Sequence, residues 1–574
     1  MKHHIGVRIL TILSLFTAWS GILPAQLSRE QKIADFLTVA DAYATSYGPY
    51  EWKKQTQSFD LLNVQPWVER ISKTTNDIDY AEVLVDYVAS LNDAHDYIAF
   101  PFYFYANLPL QLDIYDGKVL IESVDRKMLP EDKFPFTTGD ELVSMDGKPV
   151  ADWIKQFRKY AISANARSTD RAAASLMASR SQFVMPSMTS LPDSANIEVR
   201  RASGALETYE VPWTKRGEPR TTFGSFVSPG PRASVRSMGS AAVSDSGVTD
   251  DSLPLHMEPM RQFLSATVDP DRFAILNMGQ RNPLFRMPEG FRQRLGGQST
   301  DFFFSGTFQA GGYNIGFIRI PSFTPPSTTL AYQQFENEMV YFQNNTDGLI
   351  IDEMRNPGGS VAFLEGLCQR VIPYQFRTLG FEIRASASWV YNTQARAYSA
   401  RSTGQPDWVI AATDAVLKDI VQANSEPRGR TGALSLNSTG TLELLPHPVA
   451  YKKPVMVLAD EFSVSGADAF AAIVQDNKRA LIYGYRTMGA GGNVVGFTLG
   501  SYTEAFFRIT QSLMNRAAPV SSPGLPDSNY VENMGVQPDI VADYMTRENL
   551  MTGGSPFAQG FTAAMVEHIK KNKP

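Results

Sequence analysis

The sequence predicts a multidomain α/β protein: a helical N-terminal region, a β-rich module, and a C-terminal layer of buried strands and helices. Three observations predict it. From about residue 301, the short apolar segments YNIGFIRI, GLIID, KPVMVLA and RALIYG alternate with the helical stretches AYQQFENEMVYFQNN and GADAFAAIVQDN. Near-continuous apolar strands alternating with helices imply an α/β layer with strands covered on both faces. Residues 26–105 show a helical period instead. Leu84, Tyr87, Val88 and Leu91 recur on one helix face, and Ser28 with Gln31 forms a capping-box pattern. Between these regions, LPLQLDIYDGKVLIESV alternates about Asp116-Gly117, a hairpin signal.

The remaining segments follow in order. Lys2, His3, His4 and Arg8 precede the apolar run Ile9–Trp19, and Leu-Pro-Ala-Gln follows. This is the layout of a secretory signal peptide spanning 1–25, cut after Ala25, although Leu23 is not the ideal residue three places before the cut. The run is short for a membrane span, and an uncleaved anchor is the alternative. The expectation is export to a periplasm or outside the cell, without stable membrane insertion after cleavage. Residues 106–215 read as β-rich. Within them GDELVSMDGKPV, Gly139–Val150, resembles the hairpin typical of PDZ-like modules. Residues 216–300 change character: Ser, Gly, Pro and Arg dominate SFVSPGPRASVRSMGSAAVSDSGVTDD without any period. That composition reads as a long loop or inserted segment. Residues 301–574 form the α/β region, where sites are built at the carboxyl ends of strands.

Bulk composition narrows the function. The 574 residues suggest about three to four domains. A hydrophobic content of 43% can fill a core. Lys and Arg number 53 against 59 Asp and Glu, a net charge of −6. With no basic run and no zinc-type Cys/His spacing, nothing calls for nucleic acid. Cys368 is the single cysteine, so no intramolecular disulfide forms. It sits in VAFLEGLCQRVI and reads as a buried structural thiol.

The chemistry concentrates in two loops. In KPVMVLADEFSVSGADAFAAIVQDN a strand ends near Asp460 and a helix begins near Gly466. Ser465 therefore stands at a strand-to-helix turn, at the positive end of the helix dipole. There its hydroxyl can be exposed, and the Gly466 N–H can face a developing oxyanion. The plainer alternative is that Ser465 or Ser463 caps the helix. The second loop, in GLIIDEMRNPGGS, passes through Asn356-Pro357-Gly358-Gly359. Its glycines allow close backbone approach and supply further N–H donors.

Together these loops resemble the tail-specific/tricorn protease clan of serine peptidases, on DEMRNPGGS and SVSGADAFAAIVQDNKRALIYGYRTMGAGG. The resemblance implies a crotonase-like catalytic fold, no metal or cofactor, and Ser465 rather than Ser463 as nucleophile. It also places the oxyanion hole at the N–H groups of Gly358, Gly359 and Gly466. One departure matters. Where the tail-specific branch carries a catalytic Lys, this chain has Ala490, and no lysine occurs between Lys478 and Lys570. Another base is therefore required. The chain looks closest to the chlamydial protease-like activity factor type, which uses Ser, His and Glu. YGPYEW near Tyr47–Trp52, SLNDAH at Ser90–His95, IIDEMRNPGGSV, TMGAGG and VENMGVQPDI all resemble it in order. By that resemblance His95 is the base and Glu532 the orienting acid.

The residues agree with this as far as they go. Past the leader only His95, His256, His447 and His568 remain. His568 lies in a terminal amphipathic helix, His447 between two prolines, and His256 in the irregular segment. A neutral imidazole is the natural base for a serine hydroxyl at pH 7. A carboxylate on its far nitrogen would fix the tautomer; Asp93 and Asp96 are rivals to Glu532 for that place. The resemblance further implies that residues 216–300 block the site until autocleavage, with a plain flexible linker as the alternative, and that the chain forms a homodimer. The expected function is a serine endopeptidase acting on a protein or peptide substrate. Two alternatives stand beside it: a non-catalytic ligand- or peptide-binding protein on the same scaffold, and a hydrolase of a small acyl or peptide substrate.

Overall fold

In the computed structural model the described residues are 26–223, 275–436, 440–499 and 501–572. The expected leader, 1–25, and residues 224–274 of the inserted segment, with His256, lie outside them.

Four helices open the chain: α1 (Arg29–Ser46), α2 (Tyr50–Gln57), α3 (Gln65–Ser72) and α4 (Asp77–Ala89). The Ser28 hydroxyl accepts from the Gln31 amide and the Gln31 side chain accepts from Ser28 N–H, so the capping box forms as the sequence predicts. The apolar faces of these helices do not close on themselves. Phe36, Tyr43, Leu84 and Tyr87 pack in one core with Phe497, Phe507 and Ile509. Those three belong to the hairpin Val494–Leu499/Ala505–Thr510, far along the chain. α4 stops at Ala89, short of the Asn92-Asp93 end the apolar period suggests. Asn92 takes φ 48°, a left-handed conformation that a helix cannot contain. His95 therefore stands in a loop that leads into strand Ile98–Ala99, which pairs with the same hairpin.

The β-rich module is built on strands Leu110–Tyr115, Lys118–Val124, Glu141–Met145, Ser194–Arg200 and Leu206–Pro212, paired in that order. Asp116 (φ 48°) and Gly117 (φ 75°) make the two-residue turn of the first hairpin, which needs positive φ at both positions. Strand periodicity did not reveal the module's two helices, Val150–Phe157 and Ala166–Ser175. The second starts where Asn165 Oδ1 accepts from Ser168 N–H.

The C-terminal region is a seven-stranded sheet in the order Arg292–Leu295, Phe304–Ala310, Tyr313–Arg319, Gly348–Asp352, Val455–Ala459, Ala480–Gly484, Ile540–Val541. From Tyr313–Arg319 onward neighbours run parallel. Both faces are covered, as the apolar runs predict. Leu349, Ile351, Val455 and Val457 face one core with helices Thr328–Asn345, Val361–Val371 and Gly466–Asp476, while Ile350, Met456 and Leu458 face another with the final helix Ser555–Lys571. Cys368 is buried in the first of these cores. A helical hairpin, Ala387–Ser402 and Asp407–Ser425, stands between strands Gly380–Arg384 and Arg430–Leu434 and had no counterpart in the sequence reading. Among the described residues, no helix is long and apolar enough to cross a membrane.

Candidate active site

Strand Val455–Ala459 delivers the chain to Asp460 at its carboxyl end, and helix Gly466–Asp476 starts six residues later. Between them, Ser463 is fully buried and committed. Its hydroxyl donates to the Glu353 carbonyl (2.9 Å) and accepts from the Asp460 amide (3.1 Å). Ser465 is different. It is half-buried and holds φ 57°, ψ −104°, far from the extended backbone of an ordinary N-cap. Such a conformation costs on the order of 1–3 kcal/mol and is kept only where its surroundings dictate it.

Those surroundings are the second loop. Gly358 (φ 89°) packs so closely that a Cβ there would lie 2.6 Å from the Val464 carbonyl oxygen and 2.8 Å from Ser465 Cβ. A Cβ on Gly466 would come within 3.0 Å of the Gly359 nitrogen. Only glycines let these backbones meet. The Asn356 side chain shapes the turn by donating to the Ile320 carbonyl and accepting from Gly358 N–H at 2.8 Å. In that last bond the Gly358 amide, expected among the oxyanion donors, already has an acceptor. The amides of Gly359 and Gly466 make no hydrogen bond among the described residues and stand beside Ser465.

The histidine loop reaches the same place. Ala94 and Val464, next to His95 and Ser465, pack against one small core of Ala164, Leu276, Phe462 and Met488. The His95 amide donates to Asp93 Oδ1 (3.0 Å), and Tyr47 Oη and Thr510 Oγ1 also donate to Asp93. Asp96 accepts from the Thr510 amide (2.9 Å) and is pushed well above the usual carboxylate range by burial and by Asp93. Asp93 is thus engaged in holding the loop and is the carboxylate whose charge acts on His95, while Asp96 Oδ2 has no hydrogen-bond partner among the described residues. His95 keeps some exposed surface, yet its Nδ1 is enclosed and has no hydrogen-bond partner among the described residues. Burial lowers its pKa to about 4; Asp93 opposes that fall, while Arg508 and Lys53 add to it.

Glu532 arrives from the segment after the Ser528–Tyr530 strand and is fully buried. One oxygen accepts from Lys53 Nζ and the other from the Gly491 amide (2.9 Å). The structure therefore places Glu532 against Lys53 and not, in this state, on the His95 ring. Burial and the nearby Asp93 raise its pKa above the usual carboxylate range, and Lys53 opposes them. His447 lies elsewhere, with its Nε2 3.8 Å from Glu336.

Two features escaped the sequence reading. Asp468 is fully buried, and its carboxylate accepts from the amides of Ser465 (2.8 Å), Gly489 (2.8 Å) and Ala490 (3.0 Å) and from Thr487 Oγ1. It staples the Ser465 turn to the TMGAGG loop through the amides of Gly489 and Ala490. Its place three residues after Ser465 was the available signal. Asp468→Ala should cost about 2–5 kcal/mol of stability by stranding buried donors, read as a lower denaturation midpoint. The second feature joins the modules. From helix Ala166–Ser175, Arg171 bridges Asp113 (2.6 Å) and Glu461 (2.8 Å), and Arg167 bridges Glu461 and Asp543. Burial disfavours the Glu461 charge, but the two arginines outweigh it and lower its pKa. The β-rich module is thereby pinned two residues from Ser463.

Fold and comparisons together make this chain a serine peptidase. Residues 314–542 match the model of Peptidase family S41, and residues 104–221 match that of a PDZ domain, so the chain carries both. Among curated proteins it is 25% identical to a protein of Chlamydia muridarum, over 96% of this chain and 95% of that one. It is also 25% identical to one of Chlamydia pneumoniae, over 97% and 93%. Among solved structures, mature CPAF, the chlamydial protease-like activity factor, aligns with a TM-score of 0.73 and 20% identity over 95% of this chain and 99% of its own. CPAF complexed with lactacystin aligns with a TM-score of 0.72. At that identity the structural likeness is one of fold.

Proposed function

We propose that the chain is an exported endopeptidase that cleaves peptide bonds through an acyl-enzyme on Ser465, with His95 as general base and Glu532 as the carboxylate behind it. The observation that carries this reading is the strained Ser465, held at a helix N-terminus beside the Gly359 and Gly466 amides, which make no hydrogen bond among the described residues. His95 takes the Ser465 proton as Oγ attacks the scissile carbonyl. The two amides receive the oxyanion, and the imidazolium protonates the departing amine. Water then hydrolyses the ester with the same base. Each Glu532 oxygen retains a second lone pair, so the carboxylate keeps acceptor capacity for His95 Nδ1–H. Of residues 216–300, those after 274 belong to the catalytic region, since Arg292–Leu295 is a strand of the seven-stranded sheet and Phe285 is buried in its core. An inhibitory segment would therefore lie within 224–274, and a second copy of the chain would serve as a partner. Autocleavage mapped by mass spectrometry and sedimentation of the full chain test those two points.

The primary test is labelling with a fluorophosphonate followed by a peptide-library digest. Label on Ser465 and cleaved peptides are expected; label on another residue, or none, overturns the reading. The pH profile tests the base. Both His95 and Glu532 act only when unprotonated, so each lowers the rate as pH falls through its pKa. Glu532 should produce a step above the usual carboxylate range and His95 a second step near 4. Glu532→Gln should leave the lower step alone. This differs from an ordinary exposed histidine, whose step would fall at about 6.5.

A further inference from the structure

Lys53, on α2, is almost fully buried, and its three N–H groups are all used. They go to Glu532 Oε1, Asn533 Oδ1 (2.7 Å) and the Asn92 carbonyl (2.8 Å). Asn92 is the left-handed residue that ends the α4 turn and launches the loop bearing His95. Asn533 Nδ2 grips the same Asn92 carbonyl at 3.0 Å, and Trp52, the neighbour of Lys53, donates to the Glu532 carbonyl at 3.0 Å. One turn of α2 therefore binds the acid segment and the histidine loop into one unit.

We propose that Lys53 is a positioning residue of the catalytic centre, which pairs with the Glu532 carboxylate and ties it to the loop carrying His95. The proposal rests on the reading of Glu532 as the carboxylate behind His95. A buried ion pair is a weak stabiliser, since well-packed apolar residues often serve the fold as well. The geometry here is spent elsewhere: every Lys53 donor ends on Glu532 or on the backbone and side chain that flank the two site residues. The electrostatics point the same way. Around Glu532 stand Lys53 from α2, Asp93 from the histidine loop with Asp96 behind it, Tyr47 past the end of α1, and the Gly491 amide. Lys53 is the cation among those groups. Without it, burial and Asp93 would hold Glu532 in its protonated form, and a protonated Glu532 cannot stabilise an imidazolium.

The test is the rate of Ser465 acylation by a fluorophosphonate, measured on the full chain from about pH 5 to 10. Lys53→Met should acylate at least about tenfold more slowly than wild type near pH 7. It should regain rate as the pH rises, because Glu532 then ionises only at higher pH. Lys53→Met/Glu532→Gln should lack that alkaline recovery and should be no slower than Glu532→Gln alone. A Lys53→Met profile parallel to wild type, whatever its melting temperature, overturns the proposal. If Lys53→Met does not fold, the double variant, which strands no buried charge, decides: a rate well below that of Glu532→Gln means Lys53 acts independently of Glu532, and the proposal fails. Glu532→Gln acylating at the wild-type rate would remove the reading of Glu532 itself and this proposal with it. A normal loss in Glu532→Gln with an unshifted Lys53→Met would remove the proposal alone.

Discussion

Ser465→Ala should lower peptide turnover by about 10³-fold or more and abolish fluorophosphonate labelling, with little change in melting temperature. The side chain that is lost is half-buried at a turn, so truncating its hydroxyl leaves no large cavity. The backbone that holds it is fixed by others: Asp468 accepts its amide, and Gly358 and Gly466 pack around it. Ser463→Ala should show the opposite pattern. Its hydroxyl joins the Glu353 carbonyl to the Asp460 amide inside the protein, so its removal should cost about 1–2 kcal/mol of stability while most activity survives. A dead Ser463→Ala with an active Ser465→Ala would mean that the nucleophile has been placed two residues out of register.

The catalytic sheet was legible in the sequence because its physics is local. YNIGFIRI, GLIID, KPVMVLA and RALIYG are apolar on both faces, and each became a strand covered on both faces. The two loops at the strand ends were legible because glycine and serine punctuate them. What stayed hidden depends on contacts between distant residues. α1 and α4 show a clean helical period, yet nothing in it says that the partner is Phe497 or Phe507. For that reason a fragment of residues 301–574 would expose those rings. Lys53 reads as one charge in a short polar helix; its burial follows only from Glu532 and Asn92 arriving from far along the chain. The motif order placed the Gly358 amide among the oxyanion donors. It could not show that Asn356, two residues earlier, already takes that hydrogen. Arg171 was hidden for a related reason: the β pattern around it masked the helix that carries it to Glu461.

His95→Ala should be as inactive as Ser465→Ala, and the double variant should be no worse than either. Members of one catalytic unit lose activity together, so their effects do not add. The alternatives within the described structure are few. His447 faces Glu336 and His568 lies on the final helix, so neither adjoins Ser465. Asp468 is closer, but its carboxylate already accepts from three amides and a hydroxyl, and its task is to hold the turn. Ala490 carries no base at all. The loss in His95→Ala should fall on the acylation rate, because the Gly359 and Gly466 amides and the neighbouring glycine packing remain in place. The expected signature is therefore a fold-stable variant that acylates about 10³-fold or more slowly than wild type, with the step near pH 4 gone from its profile. Retention of that step, or a further loss on adding Ser465→Ala, would show that another group takes the serine proton.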